Sequence, residues 1–353
     1  MKKGVIYYIF ILLCIFSCTD DENFSNVGDK AIRIELSNTA VATRAKLFNT
    51  YNDILAEGSF TLDALLAGNN YEYIRNSWVY YFNGNWRFRD VENQDNLIDF
   101  YWPDDKNVNF MAFIPRCDEN TVVKRSDISF NETDGVTFSC VLPPVIYDTN
   151  DANNEAEHRK KEFAYACRRN QNKNGGNVKL HFVHPFAVIN FQLAQSHRDL
   201  TIHSIRLKGL GRSGTYKNGH DTYTTYPQNQ NNLTYSHWAT SDKNSDNTFI
   251  LNIEKSVPNK LNYDSHIGGP YLVIPQSLDG ITLSLNYSWD EAVKQNTIER
   301  AITTNEVPAW QPGKSYTYYL DLGDNKEEII FKVIVEEWDK GEDDNYENSF
   351  DVE

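Results

Sequence analysis

The chain has 353 residues, an apolar share of 40% and a formal net charge of −15. That length predicts two domains of ordinary size, and the apolar share is enough to pack both. The charge excludes nucleic acid, whose binding depends on cations that neutralise phosphate, and excludes docking on anionic lipid by charge. A mean hydropathy of −0.57 excludes an integral membrane protein. Aromatics reach 13%, with 21 Tyr and 19 Phe against two Met, a bias that suits pleated, half-buried strands better than helices.

The first residues read as an address. Lys2 and Lys3 precede an apolar run over residues 5–16, which ends at Ser17-Cys18. The run is about a dozen residues, short of the roughly 20 a bilayer span needs, so residues 1–17 are expected to be a signal peptide. With Cys after Ile15-Phe16-Ser17, the segment resembles a bacterial lipoprotein signal. The resemblance implies cleavage between Ser17 and Cys18 and a lipid on Cys18; the alternative is an ordinary signal with an incidental Cys. Thr19-Asp20-Asp21-Glu22 resembles the acidic run that directs such lipoproteins to the outer face of the outer membrane, and a solvated tether has the same composition. Residues 18–45 then form a tether that contains one alternating segment, Ala31-Ile32-Arg33-Ile34-Glu35-Leu36, predicted as a strand. Beyond it lies a basic peptide bond, Arg44–Ala45, in a run of small residues.

Strand signals dominate the remainder of the chain. Trp78 to Phe82 and Trp86 to Phe88 flank Asn83-Gly84-Asn85 and predict a hairpin, because Asn-Gly accepts the positive φ of a tight primed turn. Further strands are expected at 100–102, 108–114, 137–142 and 181–193, with Pro185 marking a bulge or an edge in the last. Residues 147–176 are polar and predict a long loop with one helical turn around 155–166. The boundary between two sandwiches is placed near Gln195, giving domains at 46–195 and 196–353. The second half predicts strands at 201–207, 248–254, 271–274, 281–287, 316–322 and 328–338, with a polar loop over 211–247. Many short strands with turn signals between them mean β-sandwiches.

Chemistry is thinly represented. Cys14 leaves with the signal and Cys18 carries the lipid, so Cys117, Cys140 and Cys167 remain. An odd number excludes a closed disulfide framework, and Cys140 alternates with Phe138 and Leu142 as a buried thiol. Gly209-Leu210-Gly211-Arg212-Ser213-Gly214 fits a dinucleotide fingerprint, but no helix signal opens at its glycines to hold a pyrophosphate. Asp242, Asn244 and Asp246 have calcium-loop spacing, yet Asn247 and Ile253 stand where the loop needs Gly and Glu. His181 and His184 fall three apart on an expected strand, pointing to opposite faces. No nucleophile, acid–base pair or metal set emerges, so neither enzyme activity, a metal nor a cofactor is expected.

Several segments in order carry a family resemblance. FYWPDD at 100–105, VNFMAFIP at 108–115 and HFVHPFAVINFQL at 181–193 are followed by YLVIPQSL at 271–278 and ITLSLNYS at 281–288. WQPGKSYTYYLDL at 310–322 and IIFKVIVEEW at 329–338 complete the set. Together they resemble the fimbrillin family, subunits of outer-membrane pili built from lipoprotein precursors. The resemblance implies an all-β chain of two tandem transthyretin-like β-sandwich domains, which agrees with the strand pattern. It also implies assembly by strand exchange: an arginine-specific protease removes the N-terminal strand, and a strand from another pilus subunit fills the groove. The matching bond is Arg44–Ala45, and the strand it frees is 32–36; the alternative is that Arg44 is an ordinary exposed arginine. The partners implied are other subunits and, through the lipid, the outer membrane. After Trp338 only fifteen mostly acidic and polar residues remain, with Phe350 and Val352 as the apolar pair, a poor donor strand. A tip or accessory subunit is therefore expected over a stalk subunit. The alternative function is a stand-alone surface lipoprotein that binds glycans or host proteins through the Tyr- and Asn-rich segment 211–247.

Overall fold

The computed structural model describes residues 31–36, 58–69, 71–89, 96–116, 122–142, 145–147, 163–195, 200–222, 234–241, 248–257, 265–289, 295–302, 305, 307–322, 329–337 and 349–350. Ser17, Cys18, Arg44, Ala45 and Cys117 lie outside them, as do the calcium-like triplet at 242–246 and residues 155–162 of the expected helical turn, whose end at 164–166 is strand instead of helix.

In chain order the strands are β1 (Ile34–Leu36), β2 (Ser59–Leu66), β3 (Tyr71–Phe82), β4 (Asn85–Arg89), β5 (Leu97–Ile98) and β6 (Val108–Ile114). Then come β7 (Ile128–Asn131), β8 (Gly135–Val141), β9 (Val145–Tyr147), β10 (Ala164–Gln171) and β11 (Val178–Leu180). The second half holds β12 (Ala187–Gln195), β13 (Leu200–Lys208), β14 (Ser213–Asn218), β15 (Trp238–Ser241), β16 (Thr248–Val257) and β17 (Ser265–Val273). It ends with β18 (Thr282–Trp289), β19 (Asn296–Ala301), β20 (Lys314–Leu322), β21 (Ile329–Glu337) and β22 (Ser349–Phe350). The chain is all-β, and its strands stack as β-sandwiches.

The first sandwich is built on a sheet ordered β10-β6-β2-β3-β4-β1-β11, with β5 also on β4. Its end strands are sequence neighbours, and Tyr165 and Val183 beside them exchange backbone hydrogen bonds of 3.1 and 2.8 Å. The sheet therefore wraps around an inner core that includes Phe60, Leu62, Trp86, Phe110 and Ile114. Its other face, through Met111, Phe113 and Tyr165, packs on a sheet ordered β15-β14-β8-β7. Buried on both sides, β2 and β6 are inaccessible along their whole length. This explains why β2 shows no alternation: Ser-Phe-Thr-Leu-Asp-Ala-Leu-Leu lacks an exposed face and is short of β-branched residues. The predicted hairpin is present, with Asn83 at φ +48 and Gly84 at φ +81 closing β3 onto β4.

The second sandwich pairs a sheet ordered β17-β12-β20-β21-β22 with one ordered β19-β18-β13-β16-β9. Phe191, Ile205, Leu285, Trp310 and Tyr318 fill the core between them. The strand expected to finish the first half, β12, instead runs between β17 and β20. Its other face carries Val188, which joins Phe186 and Ile274 in the core of the first sandwich, so hydrophobic packing is continuous across the two.

The structure corrects three expectations. Segment 211–247 is not simply a loop: β14 pairs with β8 from Ser213↔Val141 to Asn218↔Val136, and β15 pairs with β14. Tyr216 and Trp238 supply the apolar anchors that make this pairing favourable. Residues 147–176 are likewise not one loop, because 164–171 form β10 with Ala164, Tyr165, Ala166 and Cys167 buried. Residues 181–186 precede β12 rather than belonging to it, so His181 and His184 do not lie on one strand with alternating faces; both are buried. Exchange between halves runs the other way too, since β9 adds in parallel to β16. One glycine is required at this junction: Gly135 has φ +67, and a Cβ there would meet the Asn218 carbonyl at 2.1 Å.

Candidate functional site: the N-terminal strand and its slot

The segment expected to be a strand in the tether is one, seated between β4 and β11. Ile34 lies opposite Trp86 of antiparallel β4, and Ile34 to Leu36 run parallel to Val178 to Leu180. Ahead of the strand, the Ile32 N–H donates to the Phe100 carbonyl at 2.7 Å, and the Val178 N–H donates to the Arg33 carbonyl at 2.8 Å. Alternation sends Ile32, Ile34 and Leu36 into the inner core, with Ile32 fully inaccessible, while Glu35 faces outward. Arg33 reaches Asp99 at 2.7 Å, but both side chains are about one-third exposed, so this pair orients the strand more than it stabilises it. Burying Ile32, Ile34 and Leu36 contributes about 4.5–9 kcal/mol at ~1.5–3 kcal/mol per side chain. Few hydrogen bonds accompany that apolar burial, because the ladder is three residues long.

The sequence could not have indicated the partners. A parallel pairing with β11 joins residues about 140 positions apart, and Val-Lys-Leu is too short to register as a strand.

At the other end of the chain, β22 lies antiparallel on β21 with Phe350 opposite Val333. The remaining candidates resolve into packing. Gly209 has φ +79 with Gly280 against it, while the Gln276 side chain accepts from the Gly211 N–H at 2.9 Å and donates to its carbonyl at 3.0 Å. Strand β14, not a helix, comes after the glycines. Cys140 and Cys167 are buried free thiols; burial raises both, Cys167 to about 12, with Asp221 adding to the rise and Arg169 opposing it. Among the described residues no group of three or more His, Cys, Asp or Glu is placed to hold a metal ion.

One buried charged pair escaped the sequence reading. Asp63, in the middle of β2, accepts from the Asn76 N–H at 2.6 Å and from the Arg125 guanidinium. Desolvation pushes its carboxyl up, opposed by the Asn76 hydrogen bond and by Arg125. The pair sits where the β2–β3 register shifts around Ala64, and Asn76 adopts φ +47 to make its bond. It fixes a bulge.

The described strands form a wrapped all-β sandwich whose first strand is supplied by the N-terminal segment, the framework of a structural or adhesive protein. The fimbrillin-like family model matches residues 54–338, and the chain belongs to that family. The family is fimbrial, which places the chain at the cell surface in a fimbrium, among other pilus subunits. A fimbrial protein from Bacteroides vulgatus is similar in fold, with TM-score 0.57 and 16% identity, covering 88% of this chain and 99% of that one. A protein assigned to cell adhesion from Bacteroides ovatus is similar at TM-score 0.50 and 12% identity, covering 87% and 96%. No curated protein sequence matches the chain.

Proposed function

We propose that the chain is a structural or adhesive subunit of a surface pilus, assembled from a lipoprotein precursor by proteolytic release and strand exchange. One observation carries this reading: β1 is a core strand, yet it is joined to the remainder only through residues 37–57, which contain Arg44–Ala45. Cutting that bond lets β1 leave. Its departure would open an apolar slot and strip the adjacent edges of β4 and β11 of their partner. Both effects are unfavourable in water, and an incoming strand of another subunit relieves both. In this reading Cys18, exposed by cleavage after Ser17, carries the lipid that holds the precursor on the outer membrane. A tip or accessory position is supported by the pairing of β22 with β21 of the same chain, which leaves β22 engaged at home rather than in a neighbouring subunit.

Mass spectrometry of surface-released material tests the proposal. The expected N-terminus is Ala45, and Arg44→Ala should leave the chain lipidated at Cys18 and absent from filaments. Filaments assembled from chains that still begin at Cys18 would overturn the release step.

A further inference from the structure

The outer face of β3 and β4 carries a feature unrelated to strand release. Val79, Trp86 and Phe88 point into the inner core, so the alternate residues Trp78, Tyr80, Arg87 and Arg89 face outward. Trp78 lies directly opposite Arg89, and Tyr80 opposite Arg87. The Arg89 guanidinium sits 4.6 Å from the Tyr80 ring centre, and Arg116 approaches from the far side to 3.9 Å from the Trp78 ring. Arg116 also donates to the Tyr80 hydroxyl at 3.3 Å, and the two rings are 6.1 Å apart. Cations and rings therefore interleave across the sheet. Phe82, 45% exposed, extends the face toward the hairpin tip.

Among the described residues the charge on this face is uncompensated. Arg33, Arg75, Arg125 and Arg168 each meet a carboxylate, whereas Arg87, Arg89 and Arg116 meet none there. The Arg89 Nε–H is buried without an acceptor. Three such clustered guanidiniums stand out in a chain of net charge −15. Stacking on rings holds the Arg89 and Arg116 forks in place while leaving N–H edges free for oxyanions, and less of their side-chain entropy remains to be lost on binding.

We propose that this face binds an acidic polysaccharide, one bearing carboxylate or sulfate groups along its length. Arg87 and Arg89 are two residues apart on one strand, about 6.6–6.8 Å, and the Arg116 side lies further across the sheet at about 4.8 Å per strand, which suits charges repeated along a linear chain. An acidic peptide fits less well. Peptides on sheets draw affinity from main-chain pairing, and β3 and β4 are each already paired on both edges. A polysaccharide needs no such pairing and adds sugar C–H faces against Phe82.

Titration calorimetry of the purified full chain tests this, with sodium polygalacturonate, dextran sulfate, uncharged dextran and poly-L-glutamate as probes at low ionic strength. Both acidic polysaccharides should bind and uncharged dextran should not. The double variant Arg87→Gln/Arg89→Gln should weaken binding about tenfold or more with its melting temperature unchanged. Arg87→Lys/Arg89→Lys should fall between, since charge remains but the fork is lost. Arg206→Gln/Lys332→Gln, which removes the same charge from the second sandwich, should bind as the parent does. An equal loss in that control, poly-L-glutamate binding as tightly as polygalacturonate, or no binding of either acidic polysaccharide would each overturn the proposal.

Discussion

The two sandwiches solve the same packing problem with unequal resources. In the second, β12 pairs with β20 from Val188↔Ser315 to Gln195↔Asp321, and β20 pairs with β21 from Lys314↔Glu337 to Leu322↔Ile329. Long ladders and large side chains such as Trp310, Tyr316 and Tyr318 close it, and the short β9 it takes from the first half sits at one sheet edge. The first sandwich borrows at two places: β14 and β15 come from the second half, and β1 comes from the tether. The borrowed pieces differ in kind. β14 matches β8 over six consecutive positions and brings Tyr216 into stacked contact with Phe138, ring centres 4.9 Å apart. β1 has three apolar side chains in the core and a three-residue ladder. A strand held mainly by side-chain burial can be replaced by any strand presenting similar side chains, whereas a long register specifies one partner.

That contrast sets the size of each expected effect. Ile34→Asp places a carboxylate in the inner core and should lower the stability of the first sandwich by about 5 kcal/mol or more, through lost burial and an unpaired buried charge. Calorimetry should show an early transition collapse while a later one persists; a single transition shifted as a whole would mean the halves unfold as one. Phe138→Ala should cost about 4 kcal/mol, because it hollows the cluster where Phe163, Tyr165, Phe186, Tyr216 and Trp238 meet. It should also drive any two calorimetric transitions further apart, since Phe186 belongs to the packing that bridges the halves.

Arg125→Gln should cost about 3 kcal/mol at neutral pH by stranding the Asp63 carboxylate. Burial already holds the folded-state pKa of Asp63 above the ordinary value of 3.8. Protonated Asp63 is therefore favoured by folding, and that favourable contribution fades as pH rises through the folded-state value. Removing Arg125 raises this value further, so the variant's deficit in urea unfolding should shrink as the buffer is taken down toward about pH 4. A deficit independent of pH would show that Arg125 acts only through packing. The smallest effect concerns Cys140 and Cys167, which should resist alkylation at mildly basic pH while the chain is folded and react once urea unfolds it.

The hairpin at Asn83-Gly84, β6 with all seven predicted residues, and β13, β16, β18, β20 and β21 to within a few positions could be read from local pattern. Their alternation or turn chemistry is complete within a dozen residues. β2 and β10 could not, because a strand covered on both faces loses the period that marks it. The Ile32-Ile34-Leu36 alternation announced a strand in an otherwise polar tether, which made the candidate site visible before its slot was known. Asp63 and the Arg87–Arg89–Arg116 face were not visible, since single charged residues in strands carry no local mark of what they meet across the sheet.

Residue types and their spacing therefore determined that the chain is all-β, where most of its edges and turns lie, and that its N-terminal segment ends in a strand. Side-chain period and turn propensity are local, and they act before any distant contact forms. The tertiary structure decided which strand meets which: β12 to the second sandwich, β14 to the first, and β1 between β4 and β11. Those choices depend on matching buried faces far apart in the chain, where Ile34 finds Val178 and Tyr216 finds Phe138, and no window of sequence contains both members of either pair.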